Sequence, residues 1–176
     1  MPAIYPMTKN EGFDTGVVVV AHGTTPPDRL LGSLTYDDVT NHQMPEVDSE
    51  GFTKLVTEAS KLIKERIAKG EHVHVVASGG KRKWTDMLAL GDILMREIVR
   101  QVGLDMFVPS PGATATIAVE GASKDLYDAA KMSVNLLKKY KDLKCLTVVC
   151  GQDTAQKSKD AFDLTMPRCT VDLHRI

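Results

Sequence analysis

Hydrophobic and polar positions along this chain alternate between two kinds of run. Short apolar stretches rich in β-branched residues are Val17 to Val20, Val73 to Ala77 and Cys145 to Val149, and Thr114 to Glu120 is a fourth, either a further strand or an extended lead-in to the next helix. The four consecutive valines suit a strand covered on both faces, because a half-exposed strand alternates apolar with polar residues. Between these runs, apolar residues recur at three and four, the spacing of one helical face. Phe52, Leu55, Val56, Ala59, Leu62, Ile63 and Ile67 form the first such stripe, which Gly70 ends. Met87, Leu90, Leu94, Ile98 and Val102 predict a second helix over 84–102, with Gly103 as a left-handed cap. Ser123 is expected to cap a third helix running to about Tyr140, with Leu126, Ala130, Val134 and Leu137 inward and Asp125 and Asp128 in its first turn. A shorter helix over 154–164 precedes a last, edge strand over 170–173. Met106 to Val108 is a further short strand candidate, and Pro109-Ser110-Pro111-Gly112 must turn.

Strands alternating with helices of these lengths predict right-handed crossovers and a three-layer α/β/α sandwich, Rossmann-like, around a mainly parallel sheet of about five strands. The 176 residues suit a single domain. Residues 1–14 read as a surface arm. Residues 22–51 have no clear periodicity and read as a long loop, either a lid over a site or a plain surface excursion.

Composition narrows the function classes. The net charge is −1 with acids and bases interspersed, which gives no electrostatic reason to expect nucleic acid or an anionic membrane as partner. Met1 to Gly16 is polar and does not read as the apolar core of a signal peptide, and no run nears the roughly 20 apolar residues of a membrane helix, so a soluble, cytoplasmic protein with a small-molecule partner is expected. The three cysteines, Cys145, Cys150 and Cys169, form no C-x-x-C pair and read as free thiols.

In a parallel sheet the loops that follow the strands meet at one edge, where ligands bind. Four such loops span 22–27, 78–83, 120–128 and 150–157. Gly79 and Gly80 would let a ligand approach the backbone, and the free N–H groups of the next helix would favour an anion. Neither glycine loop has the spacing of a nucleotide fingerprint. His22, where the first strand ends, is a candidate base or metal ligand near neutral pH, and Glu120, which has no helical role, is a candidate general base. Gly23, Thr24, Ser78, Gly79, Gly80, Ser123, Asp125, Asp128 and Gly151 are the candidate binding residues. His72 and His74 lie at the beginning and middle of their strand and read as structural, as does Cys150. No H-E-x-x-H or similar cluster exists, so no tight protein metal site is expected.

The order Ser78-Gly79-Gly80, Glu120-x-x-Ser123-x-Asp125-x-x-Asp128 and Val148-Val149-Cys150 resembles the YdcF, SanA and ElyC domain family, over about 16–162. The resemblance implies an α/β Rossmann-like fold, a site at Gly23, Ser78, Gly79, Gly80, Glu120, Ser123, Asp125 and Asp128, and S-adenosylmethionine or a nucleotide-like molecule as ligand. Thr154 and Lys157 stand where that family carries His and Arg. The implied function is small-molecule binding, with or without turnover. One alternative is a non-catalytic regulatory module. Another follows from Val20-Ala21-His22-Gly23-Thr24, which looks like the first strand end of tetrapyrrole metal chelatases, with His22 meeting the metal and Glu120 as second ligand.

Overall fold

A computed structural model describes residues 14–24, 49–81, 88–108, 110–140, 143, 145–165 and 170–176. In chain order the elements are β1 (Asp14–Val20), α1 (Ser49–Ala68), β2 (His72–Ser78), α2 (Leu90–Val102), a 3-10 turn (Leu104–Met106), β3 (Ala115–Glu120), α3 (Leu126–Leu137), β4 (Cys145–Cys150), a second 3-10 turn (Gln152–Thr154), α4 (Ala155–Thr165) and β5 (Thr170–Arg175). The five strands form one sheet in the order β3-β2-β1-β4-β5, and every neighbouring pair is parallel. This is the expected Rossmann-like α/β arrangement. The chain runs outward from β1 to β3, then returns across β1 to place β4 on its other side. The order therefore reverses between β1 and β4, and the crevice outside their carboxyl ends is the switch point at which open α/β sheets hold ligands.

The valine run of β1 shows why the strand is buried throughout. Side chains alternate across a strand, so Val17, Val19 and Ala21 enter a core with Phe52, Leu55, Ile63, Leu94 and Ile98 from α1 and α2. Val18 and Val20 enter a second core with Val134, Leu137 and Phe162 from α3 and α4. Each face of the sheet is thus covered by two helices, which completes the three layers.

Several boundaries differ from the sequence reading. Asp14 opens β1 and does not belong to an arm; its predicted companions lie outside the described residues, as do 25–48 of the predicted loop, whose last residues instead begin α1. Helix α2 starts at Leu90, and residues 84–87 of the predicted helix lie outside the described residues. Its first turn is fixed by the Asp92 carboxylate, which accepts from the Ala89 N–H at 3.1 Å, a side-chain stop that helical spacing alone does not register. Gly103 has φ 112° and ψ 130°, a positive φ but not the left-handed helical region. The strand candidate at 106–108 is a 3-10 turn followed by one bridge from Phe107 to Ala115. Helix α3 ends at Leu137 rather than Tyr140. Among the described residues no helix is long and apolar enough to cross a membrane.

Candidate functional site

Parallel register brings the strand ends level: Val20 pairs with Ser78, and Ser78 with Glu120. Backbone bonds carry the pairing past the sheet, from Ala21 N–H to the Ser78 carbonyl at 2.8 Å and from Gly79 N–H to the Glu120 carbonyl at 2.9 Å. The loops after β1, β2 and β3 are thereby locked side by side. The loop after β4 joins them on the far side, where a Cβ on Gly23 would lie 3.3 Å from Thr154 Cγ2. The expected convergence of Gly23, Gly79 and Glu120 at one edge is present.

Glu120 is the hub of this edge. It is 3% exposed, its Oε1 accepts from the Ser78 hydroxyl at 2.7 Å, and its Oε2 accepts from the Ala122 and Ser123 N–H groups, each at 2.8 Å. Three donors on one buried carboxylate satisfy it and hold the β2 and β3 ends together. Burial of a charge is tolerated on such terms. Both oxygens are engaged, so Glu120 positions the loop. Ser78 is fully buried and belongs to the same scaffold.

The two glycines after β2 have a role other than admitting a ligand. A Cβ on Gly79 would fall 2.8 Å from the Leu90 Cβ and 3.0 Å from the Ala21 Cβ, and one on Gly80 would fall 2.0 Å from the Ser123 carbonyl oxygen. The close approach they permit is to the protein itself. At the start of the next helix Leu90 N–H donates to the Gly80 carbonyl at 3.1 Å, Gly91 N–H to Gly79 at 2.9 Å, and Asp92 N–H to Ala89 at 3.1 Å. These three donors are spent on the chain.

Ser123 is not the cap of α3. Asp125 is, its Oδ1 accepting from the Asp128 N–H at 2.7 Å, while Asp128 Oδ2 accepts from the Lys124 N–H at 3.2 Å. The Ser123 hydroxyl instead lies 3.1 Å from His22 Nε2. This pairing of residues 101 apart was not legible in sequence, because a serine two residues before an Asp-x-x-Asp start competes with that aspartate for the same capping role. Burial lowers the His22 pKa below its ordinary 6.5, opposed in part by the charges of Glu120 and Asp125, so the ring is neutral at pH 7.

His22 borders three hollows. One of about 720 Å³ is lined by Gly23, Thr24, Gly80, Lys81, Ser123 and Lys124 among others. A second, about 370 Å³, lies at the β1/β4 switch point between Gly23, Thr24, Gly151 and Asp153 on one side and Glu50 and Lys54 of α1 on the other. Gly151 is the one candidate glycine of this hollow whose Cβ direction meets no atom within 4 Å. The third, about 610 Å³, carries the apolar surfaces of Leu126, Tyr127, Ala161 and Leu164 beside Asp125. Thr24 turns the loop tightly, its hydroxyl donating to the Ala21 carbonyl at 2.6 Å. Sequence reading missed Glu50, Lys54, Lys124, Tyr127 and Leu164. For Glu50 and Lys54 a signal exists, since residues four apart share one helix face.

His72 and His74 lie elsewhere. His74, at the opposite half of the sheet, stacks on Tyr140 with ring centroids 3.5 Å apart, and its ring nitrogens meet Thr116 Oγ1 at 2.9 Å and Asp14 Oδ1 at 3.0 Å. His72 lies 3.5 Å from the same carboxylate. Both are structural, in agreement with their strand positions. Cys150 is fully buried and burial pushes its thiol up, which keeps it protonated and inert. Among the described residues no three His, Cys, Asp or Glu side chains gather as a metal site. Cys169 lies outside the described residues.

No protein-family model and no curated protein matches the chain. Among solved structures it is similar to GanP, a glucose-galactose binding protein from Geobacillus stearothermophilus, with 12% identity and a TM-score of 0.30, over 93% of this chain and 78% of that one. A likeness of that size carries no argument about fold or ligand.

Proposed function

We propose that the chain is a small-molecule-binding Rossmann-like domain whose ligand lies at the carboxyl edge of the sheet around His22, and that the ligand is nucleotide-like or S-adenosylmethionine-like. The observation that carries this reading is the position of His22: one partly buried, neutral ring borders a polar hollow, the switch-point hollow and an apolar hollow. Volumes of this order suit ligands of nucleoside size. A molecule with a charged end and a flat, weakly polar ring matches the contrast between Lys81 and Lys124 on one side and Tyr127, Leu126 and Leu164 on the other. The resemblance of the Ser-Gly-Gly and Glu-x-x-Ser segments to the YdcF, SanA and ElyC family supports the same ligand class.

A thermal-shift panel of S-adenosylmethionine, nucleotides, sugar phosphates, divalent metals and a porphyrin tests it. A ligand at 100 times its Kd adds about 2.7 kcal/mol, a rise in Tm of roughly 5–10 °C for a chain of this size. His22→Ala is expected to remove the shift. A nucleotide or S-adenosylmethionine shift unchanged in His22→Ala would put the ligand elsewhere, and a shift by metal and porphyrin alone would favour the chelatase alternative.

A further inference from the structure

We infer that Ser123 and His22 are a nucleophile and general base for hydrolysis of a small carboxylic ester, an activity that rests on the proposed ligand site and adds chemistry to it. The starting point is a hydroxyl the fold does not use. Asp125 caps α3, the Ser123 backbone N–H is taken by Glu120, and the Ser123 side chain is left with His22 Nε2 at 3.1 Å. A serine hydroxyl within hydrogen-bond reach of a neutral imidazole is the arrangement by which a weak nucleophile is activated.

The surroundings favour each stage. Ser123 is 5% exposed, yet it lines the 720 Å³ hollow together with His22, Lys81 and Lys124. Its loop is held rigidly, because Glu120 binds two successive N–H groups and the Ser123 carbonyl lies against Gly80. The carboxylates of Glu120 and Asp125 favour the charged ring, and so stabilise the imidazolium that forms when His22 takes the serine proton. Lys81 and Lys124 line the same hollow, and their positive charge favours negative charge that develops in it.

The steps balance without a further co-reactant. Ser123 Oγ bonds to the ester carbonyl carbon as its proton passes to His22 Nε2. The tetrahedral adduct breaks its bond to the alkoxy oxygen, which leaves as the alcohol with that proton. Water then adds to the acyl-serine, His22 accepts its proton and returns it to Ser123 Oγ, and the carboxylic acid departs.

The test is covalent labelling of the full chain with a fluorophosphonate probe, read by intact mass and peptide mapping, beside hydrolysis of p-nitrophenyl acetate. One adduct on Ser123 is expected. Ser123→Ala should abolish it, and His22→Ala should slow it by about 10²-fold or more, with circular dichroism reporting that each variant is folded. An unlabelled Ser123 in the folded wild-type chain, or equal labelling rates in wild type and His22→Ala, would overturn the inference. The thermal-shift result separates the two claims: a ligand shift without an adduct leaves a binding domain that lacks this chemistry, and an adduct without a shift keeps the pair but removes the proposed ligand class.

Discussion

At the scale of single residues, Glu120 shows how a side chain of catalytic type can be consumed by architecture. Its two oxygens serve three donors, and an ionised acceptor in such bonds contributes about 1.5–3 kcal/mol per partner lost. Glu120→Ala, which strands two buried donors, the Ser78 hydroxyl and the Ser123 N–H, and the part-buried Ala122 N–H, is expected to lower unfolding stability by about 3 kcal/mol or more in urea titration. Glu120→Gln should cost about 1 kcal/mol, since its amide oxygen still accepts and its NH₂ can donate to Ser78. Equal losses in the two variants would mean that charge, not bonding, holds the edge. His74 carries a second residue-scale expectation. Burial lowers its pKa from 6.5, with the Asp14 hydrogen bond and charge opposing, and His22 is lowered in the same direction. A histidine whose folded pKa is depressed binds its proton more readily when unfolded. Its contribution is therefore complete above the unfolded value near 6.5 and is lost as pH falls through the folded value. Tm should be lower at pH 5.5 than at pH 7.5, and His74→Gln should flatten part of that slope; a slope of opposite sign would contradict the assignment.

At the scale of elements, the start of α3 decides what Ser123 is for. Both Ser123 and Asp125 are capping residue types, and the choice between them is made by the turn that Glu120 imposes on Ala122 and Ser123 rather than by propensity. Asp125→Ala should cost about 1 kcal/mol, a fall in Tm of about 2–4 °C, whereas Ser123→Ala leaves the helix cap in place. A larger loss in Ser123→Ala, measured by the same thermal melt, would return the serine to a capping role. The start of α2 follows the same logic. Apolar spacing continues upstream of Leu90, but the Asp92 carboxylate bonded to Ala89 and the Gly79 and Gly80 carbonyls bonded to the first helical N–H groups fix the boundary. Helix ends depend on which polar group reaches which donor, and apolar periodicity does not record that.

At the scale of the whole molecule, a sheet order that reverses between β1 and β4 is the feature from which the site follows. It sets the loop after β1 at the centre, flanked by the loops after β2 and β3 on one side and after β4 on the other. His22, at the head of that loop, bonds Ser123 of the loop after β3 and borders hollows lined by the loops after β2 and β4. The sheet also separates the histidines by function: His22 lies at the carboxyl edge, while His72 and His74 share Asp14 toward the other.

The chain itself dictated the layers. Four short β-branched runs interleaved with three- and four-residue apolar spacing admit few packings other than helices over both faces of a parallel sheet, because crossover handedness and burial leave little choice. It also marked His22 and the Ser-Gly-Gly loop as lying beside one another at the sheet edge, since every parallel strand delivers its following loop there. The pairing of Ser123 with His22, the engagement of Glu120 by Ser78 and two N–H groups, and the use of Gly79 and Gly80 for contact with Ala21, Leu90 and Ser123 were decided only in three dimensions. The contacts of Ser123 with His22, of Glu120 with Ser78 and of Gly80 with Ser123 join residues more than forty positions apart, and such contacts are set by strand register and side-chain packing, which no local pattern of residue types encodes.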